Sequence, residues 1–330
     1  MRPILMKGHE RPLTYLKYNK DGDLLFSCAK DKNPTVWFSD NGERLGTYNG
    51  HNGAVWCCDV CRDSSLLITS SADWSAKLWS VQTGVPVFTF NFDSPARSVD
   101  FSTGDKLALI TTDPFFRLPS AIHVKRIAQD PSDQTGESVI ILDGRHQGRI
   151  NRAVWGPLNR TIISAGEDCV VRVWDTETGQ LIRESDPETG HKDKITSLEK
   201  AIDGGSNFIT GSVDKSAKLW DIRTLELLKT YRTEQPLNAA TMSPLLDHVV
   251  LGGGQEVTRV TNTDHRAGKF EAKFYDKILE EEIGGVKGHF GPINALAFNP
   301  DGRSFASGGE DGYARLHHMD QDYFNSRNRL

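Results

Sequence analysis

Apolar runs only a few residues long recur along this chain, each with a polar residue set inside it. Leu25-Phe26-Ser27-Cys28, Val55-Trp56-Cys57-Cys58-Asp59-Val60 and Ile68-Thr69-Ser70-Ser71 are examples, and the pairs Asp21-Gly22, Asn41-Gly42, Asp301-Gly302 and Asp311-Gly312 punctuate the pattern. Such pairs tolerate the positive φ of a tight turn, so short runs between them predict antiparallel strands joined by hairpins. The polar positions keep step. Five sets read His9/Ser27/Asp31/Trp37, His51/Thr69/Asp73/Trp79, His146/Ser164/Asp168/Trp174, His191/Thr210/Asp214/Trp220 and His289/Ser307/Asp311/His317. From histidine to aspartate the spacings are 22, 22, 22, 23 and 22 residues, with the hydroxyl always 4 before the aspartate and the ring 6 after it. Five sets in register define a repeated unit.

The 42 residues from His9 to His51 match the period of a propeller blade. His51 to His146 spans 95 residues and His191 to His289 spans 98, so each interval hides one degenerate blade. Blade three, Pro95–Leu142, carries strand patterns at Ala96–Phe101, Lys106–Thr111 and Ala121–Ile127. Blade six, Pro236–Gly284, carries them at Leu237–Met242, His248–Leu251, Phe270–Asp276 and Glu280–Ile283. The expected fold is all-β, a seven-bladed propeller closed radially so that no long sheet edge is exposed. The blades fall near 8–49, 50–91, 92–143, 144–189, 190–232, 233–287 and 288–319. Blade seven lacks a fourth strand, because only a short polar tail follows His318. Arg2–Met6 is a spare strand, and pairing it with Tyr313–His318 closes the ring. Length alone suggests about two domains, but the repeats leave no linker, so 1–324 reads as one domain followed by a tail at 325–330.

Composition narrows the function. With 39 basic and 44 acidic residues the net charge is −5, which offers no general case for nucleic acid. Only a cluster on one face, around Arg145, Arg149, Arg152 and Arg160, would reopen it. No apolar run approaches the roughly 18 residues of a membrane span, and the charged N-terminal heptad is no secretory signal. Five cysteines do not make a disulfide framework. Cys58 and Cys61 form a C-x-x-C with no second pair, on a strand whose alternation sends them to opposite faces. Reduced thiols and a cytoplasmic setting are expected, without cofactor or metal.

A histidine, a hydroxyl and an aspartate in fixed relation suggest a catalytic triad. An enzyme needs one such site, not five, and the hydroxyls lie inside strands that read as buried. Mutual hydrogen bonding satisfies buried polar groups that would otherwise cost about 1–3 kcal/mol each, so the tetrads read as structural. The enzymatic alternative lies at the innermost strands, where Lys17, Asp59, Asp100, Val154, Glu199, Thr241 and Ala297 align. Asp59 and Asp100 would then face each other across a channel, with no nucleophile beside them.

The Gly-His openings and the strand ends Trp79-Ser80, Trp174-Asp175 and Trp220-Asp221 resemble those of WD-repeat propellers. Stretches outside the generic repeat go further. They include 6–13, 22–32, Asn41-Gly-Glu-Arg-Leu-Gly46, Leu251-Gly-Gly-Gly-Gln-Glu256, 268–275, 288–294 and 307–313. From residue 1 to about 324, degenerate blades included, the chain closely resembles the i-subunit family of eukaryotic translation initiation factor three; the tail at 325–330 departs from it. The resemblance implies a non-catalytic scaffold that helps bring mRNA and initiator tRNA to the small ribosomal subunit. It also implies docking of a C-terminal helix of the b subunit on blades five and six, and of an N-terminal segment of the g subunit. An adaptor role in receptor-kinase signalling is the secondary implication.

The residues point to the same region. Blade six lacks the tetrad and carries the long polar connection 252–268, where functional loops usually run. Asp214, Asp221, Arg223, Gln255 and Glu256 are therefore expected to border a groove for a partner helix. Phe115 and Phe116, in Pro114-Phe-Phe-Arg-Leu-Pro119, are a second candidate contact, unless that loop folds back over blade three. Trp56 and Trp74 are either exposed contacts or packed over their own turns.

Overall fold

The computed structural model describes residues 3–202, 204–254 and 270–325. Its strands form seven four-stranded antiparallel sheets, six of which follow chain order from the central channel outward. Blade one runs Leu13–Tyr18, Leu24–Ala29, Thr35–Phe38 and Arg44–Thr47. Blade seven uses Ile293–Phe298, Ser304–Gly309 and Ala314–His318, and Ile4–Met6 completes it by pairing Ile4 with Leu316 and Met6 with Ala314. The ring is thus closed by the N-terminal strand.

Both degenerate blades are complete sheets. Blade three comprises Ala96–Phe101, Leu107–Thr112, Ala121–Arg126 and a fourth strand, Ser138–Asp143. In blade six the outer strand is Glu282–Lys287, later than the alternation at 280–283 suggests. The delay has a local cause: Asp276 Oδ1 accepts the N–H groups of Ile278 (2.8 Å) and Leu279 (2.7 Å) and holds that segment in a turn. The tail after His318 is not merely polar. A short helix at Gln321–Asn325 sets the Tyr323 ring 5.2 Å from His248 and 6.0 Å from Phe274, with its hydroxyl 3.1 Å from His248 Nδ1.

One irregularity repeats in every blade. The ladder between first and second strands skips a residue, namely Thr14, Trp56, Arg97, Asn151, Thr196, Asn238 and Asn294. A bulge re-aims its side chain, and here most of these residues reach the next blade. Thr14 Oγ1 donates to Val55 O (2.6 Å), Asn151 Nδ2 to Ile195 O (2.7 Å) and Thr196 Oγ1 to Leu237 O (2.7 Å). Across the closure Asn294 Nδ2 donates to Leu13 O (3.1 Å). Asn238 Nδ2 bonds Asn294 Oδ1 (3.1 Å). Blades two and three differ: the Arg97 guanidinium lies 4.5 Å over the Trp56 ring and pairs with Asp113.

Between blades the core is apolar. Leu109, Ile122, Ala153, Trp155, Ile162 and Trp174, from blades three and four, form one buried cluster. Met6 belongs to another, with Leu13, Trp37 and Leu316, and is 2% exposed. Met6→Ala should therefore lower the unfolding free energy by about 2–4 kcal/mol, the cost of truncating a buried side chain. Chemical denaturation measures this, and an unchanged midpoint would show that the first strand does not hold the ring shut.

Candidate functional site

Each of the five tetrads is a continuous relay. In blade two His51 Nδ1 lies 2.8 Å from Asp73 Oδ2 and Nε2 lies 2.7 Å from Thr69 Oγ1, to which Trp79 Nε1–H donates (2.8 Å). The equivalent three distances are 2.7, 2.7 and 2.8 Å at His9/Asp31/Ser27/Trp37. They are 3.0, 2.8 and 2.8 Å at His146/Asp168/Ser164/Trp174, and 2.9, 2.7 and 2.8 Å at His191/Asp214/Thr210/Trp220. In blade seven His289 is 3.2 Å from Asp311 and 2.8 Å from Ser307, while His317 Nε2 takes the indole's place at 3.0 Å. The His317 ring stacks on Phe305 at 4.4 Å and 11°, and burial drives its pKa down to about 3, so it stays neutral.

In blades one, two and five the proton inventory closes: indole donates to hydroxyl, hydroxyl donates to imidazole Nε2, and Nδ1–H donates to carboxylate. The carboxylate also accepts the N–H after the histidine, as Asp73 does from Asn52 at 2.9 Å. Burial pushes Asp168 upward, but the bond from His146 and the Arg172 guanidinium outweigh it and hold the pKa near 2. Asp73, Asp214 and Asp311 are likewise held well below the usual carboxylate range, burial being outweighed chiefly by their histidines. Burial lowers His191 and His289, which keeps these imidazoles neutral despite their aspartates. With its proton committed and its strand buried, no hydroxyl is offered to a substrate.

Two members escaped the sequence reading. Arg172 Nη1 reaches Asp168 Oδ2 at 2.5 Å and Arg315 Nη1 reaches Asp311 Oδ2 at 2.9 Å, each four residues after its aspartate. That recurring D-x-x-x-R was the available signal. Blades two and five instead use Ser75 and Ser216, whose hydroxyls donate to Asp73 and Asp214 at 2.6 Å. The degenerate blades replace the relay. Strand register puts Ile110 and Lys125 in the hydroxyl and indole places of blade three, and Leu251 and Tyr275 in those of blade six. Lys125 Nζ donates to Gly136 O (2.6 Å), and the Tyr275 hydroxyl donates to Arg232 O (3.2 Å).

The channel carboxylates do not face each other. Asp59 pairs with Lys17 (3.0 Å) and accepts the N–H of Phe101 (2.7 Å). Asp100 pairs with Lys200 (3.2 Å) and accepts the N–H of Trp155 (2.9 Å). Each carboxylate staples its own blade to the next, which corrects the channel-site alternative. Among the described residues no three His, Cys, Asp or Glu side chains group as metal ligands. All five cysteines are free thiols. The arginine set does not form an open patch either: Arg152 is buried, its guanidinium 4.3 Å from the Tyr15 ring, and Arg149 pairs with Asp113.

The expected partner residues divide. Asp214 sits in the blade-five relay before strand Ser216–Asp221, while Asp221 ends that strand and Arg223 follows in the turn, on the opposite face. A six-residue strand separates the two ends by roughly 17–20 Å, so the three residues do not border one groove. Gln255 and Glu256 lie outside the described residues. Asp221 Oδ1 accepts the N–H groups of Arg223 (2.8 Å) and Thr224 (2.9 Å), and Arg183 of blade four donates to the carbonyls of both at 2.9 Å. Around that turn Leu228, Ile278, Leu279 and Ile283 are exposed apolar residues. Lys229 Nζ of blade five ties to Ile278 O of blade six at 2.9 Å, so the row is continuous between blades. Phe115 and Phe116 lie on the relay face, as does Trp74, whose ring meets Phe115 at 4.9 Å.

A family model described as EIF3I matches residues 1–328. Among curated relatives, the eukaryotic translation initiation factor 3 subunit I of Bombyx mori is 47% identical over 324 residues, covering 98% of this chain and 97% of that protein. The subunit I of Drosophila melanogaster is 44% identical over 98% of both chains, and that of Schizosaccharomyces pombe 44% identical over the full length of both.

Two outcomes test the interior. Thr69→Val removes the central hydroxyl and strands His51 Nε2 and the Trp79 indole, so stability should fall by about 2–3 kcal/mol. Thr69→Ser should retain most of it; thermal unfolding that cannot tell valine from wild type refutes the relay's role. At Glu199, half-buried on the innermost strand of blade five, desolvation pushes the carboxyl pKa up to about 7. A carboxyl whose pKa is higher folded than unfolded stabilises while protonated, below about pH 4.5, and loses that contribution as pH rises through 7. Glu199→Gln should therefore stabilise the protein at pH 8 by about 1–2 kcal/mol, allowing for channel water, and change little at pH 5. A gain of equal size at both pH values would contradict this.

Proposed function

Because the chain belongs to the i-subunit family of eukaryotic translation initiation factor 3, we propose that it is a non-catalytic scaffold subunit of that factor. In this role it binds other subunits and supports recruitment of mRNA and initiator tRNA to the small ribosomal subunit in the cytoplasm. The match over essentially the whole chain, degenerate blades included, carries the reading. The relays support it, since they spend the reactive-looking side chains on holding loops to sheets. No helix among the described residues is long and apolar enough to cross a membrane.

The finer assignment is a C-terminal helix of the b subunit lying along the blade-five and blade-six turns, with an N-terminal segment of the g subunit bound elsewhere on the ring. What supports it is the apolar row Leu228, Ile278 and Leu279, 44%, 61% and 53% exposed, beside Asp221 and Arg223. An amphipathic helix engages such a surface through apolar anchors with charges at the rim. Asp214 has no part in it, being tied into its relay.

Affinity purification of the tagged chain, followed by mass spectrometry, should recover the other subunits of the factor; recovery without them overturns the assignment. Asp221→Lys with Arg223→Glu should lower retention of the C-terminal helix of the b subunit at least about tenfold, the loss of roughly 1.4 kcal/mol. Retention equal to wild type removes this docking site and leaves the scaffold role standing.

A further inference from the structure

On the relay face, blades two and three depart from their neighbours. The residue after the relay aspartate is left-handed in all five relay blades, at Lys32, Trp74, Cys169, Lys215 and Gly312 (φ 73°, 68°, 66°, 66° and 78°), and blade two fills that place with a large aromatic ring; the blade-three loop 113–120 holds Phe116 at φ 52°. Bulky side chains rarely adopt this left-handed conformation. Phe116 is nevertheless 95% exposed, with Leu118 at 47% and Trp74 at 40%. The loop is built rather than loose. Phe115 and Leu118 exchange backbone hydrogen bonds at 3.0 and 2.9 Å, and Phe115 packs edge-on against both Trp74 (4.9 Å) and Phe116 (4.5 Å). Phe115 thus folds back while Phe116 is held outward. Phe116 keeps a left-handed backbone while burying little of its ring beyond the edge contact with Phe115, and such strained display of an apolar surface marks an interaction site.

Charge beside the ridge says what would sit there. Asp113 is shared by Arg97 (2.5 Å) and Arg149 (3.5 Å), and Glu167 by Arg149 and Lys194. Arg117, next to Phe116, and Arg145, in the connection carrying His146, make no ion pair among the described residues. Asp93, in the connection nearest Trp74, and Asp143, exposed and paired in register with Ala121 at the end of the loop, oppose these two arginines. With the ion-paired groups included, Arg97, Arg117, Arg145, Arg149 and Lys194 outnumber Asp93, Asp113, Asp143 and Glu167 by one, on a chain whose net charge is −5.

We propose that this ridge docks an acidic linear segment of a partner polypeptide. An aromatic or leucine side chain of that segment lies on Phe116 and Leu118, and its carboxylates meet Arg117 and Arg145. Aromatic and arginine side chains also suit single-stranded RNA, but the aliphatic Leu118 favours an apolar peptide side chain over a nucleobase. The inference rests on the scaffold reading only in taking the partner to be a polypeptide, and it uses the face opposite the Asp221 turn.

The test is an array of overlapping short peptides from the other subunits of initiation factor 3, probed with the full chain and with Phe116→Ser and Arg117→Glu variants. Phe116 touches solvent on nearly every side, so its replacement should leave the melting temperature unchanged, which thermal unfolding verifies. Expected are wild-type spots that are acidic and contain Phe, Tyr, Trp or Leu, each weakened about tenfold or more in both variants, as for an interface anchor. The Asp221→Lys/Arg223→Glu protein should retain them, which separates this site from the one for the b-subunit helix. Identical patterns for wild type and variants overturn the proposal, as do Phe116-dependent spots without acidic residues or an array with no bound peptide. Phe116-dependent binding of a fluorescein-labelled oligouridine in place of peptides overturns it in favour of RNA.

Discussion

The hydroxyl at the centre of each relay is the constraint on which the rest depends. Ser27, Thr69, Ser164 and Thr210 are fully buried, and a buried hydroxyl without partners would cost about 1–3 kcal/mol. Its satisfaction demands an indole from the third strand and an imidazole from the loop entering the blade. The imidazole in turn demands a carboxylate in the turn between second and third strands. One buried oxygen thereby fixes three separate segments of a blade, and five blades repeat the arrangement. In blade one the glycine before the histidine belongs to the same constraint: a Cβ at Gly8 would lie 2.7 Å from Trp37.

Relays stiffen blades but do not join them. Beside the apolar core between blades, the join comes from the bulged residues of four inner strands and from two channel carboxylates, which bond the backbone of the following blade. Thr14, Asn151, Thr196 and Asn294 are short polar residues that reach a carbonyl directly. Asp59 and Asp100 take the N–H groups of Phe101 and Trp155. Blade two has Trp56 at its bulge, and there the contact changes to a guanidinium over a ring. Closure through Ile4–Met6 completes a circle in which every blade is held on both sides.

Much of this was legible in the sequence, because the relay is written in fixed spacings and needs particular residue types. Blade number, the N-terminal closure and the positions of the degenerate blades follow from those spacings. Arg172 and Arg315 were missed because attention to histidine, hydroxyl and ring stopped at the residues that complete the hydrogen-bond chain. The Asp59–Asp100 pairing failed for a geometric reason. Each carboxylate turns instead to the backbone of the next blade and to a lysine, Lys17 of blade one for Asp59 and Lys200 of blade five for Asp100. Asp214 and Asp221 looked adjacent in sequence, yet they bracket one strand, and a strand carries its ends to opposite faces. Tyr323 and Phe324 gave too short a signal for periodicity to detect.

Where the relay is absent, a length restriction is lifted. An aspartate that must reach back to its histidine permits only a tight turn, as between Leu66–Ser71 and Ser75–Ser80 in blade two. Blade three puts Ile110 in the hydroxyl place, so nothing requires an aspartate at that distance, and its connection expands to residues 113–120. Blade six, with Leu251 there, expands its connection between His248–Gly253 and Glu271–Asp276 much further. Loss of the relay costs those blades a stiffening network, which Lys125 and Tyr275 replace only in part through single hydrogen bonds to carbonyls. In exchange the surface gains segments whose shape is not dictated by the interior. A propeller with seven intact relays would present short, near-identical turns around its rim and little to tell one partner from another. The two interruptions are what make this ring asymmetric, and a scaffold that must seat different polypeptides in different places needs that asymmetry.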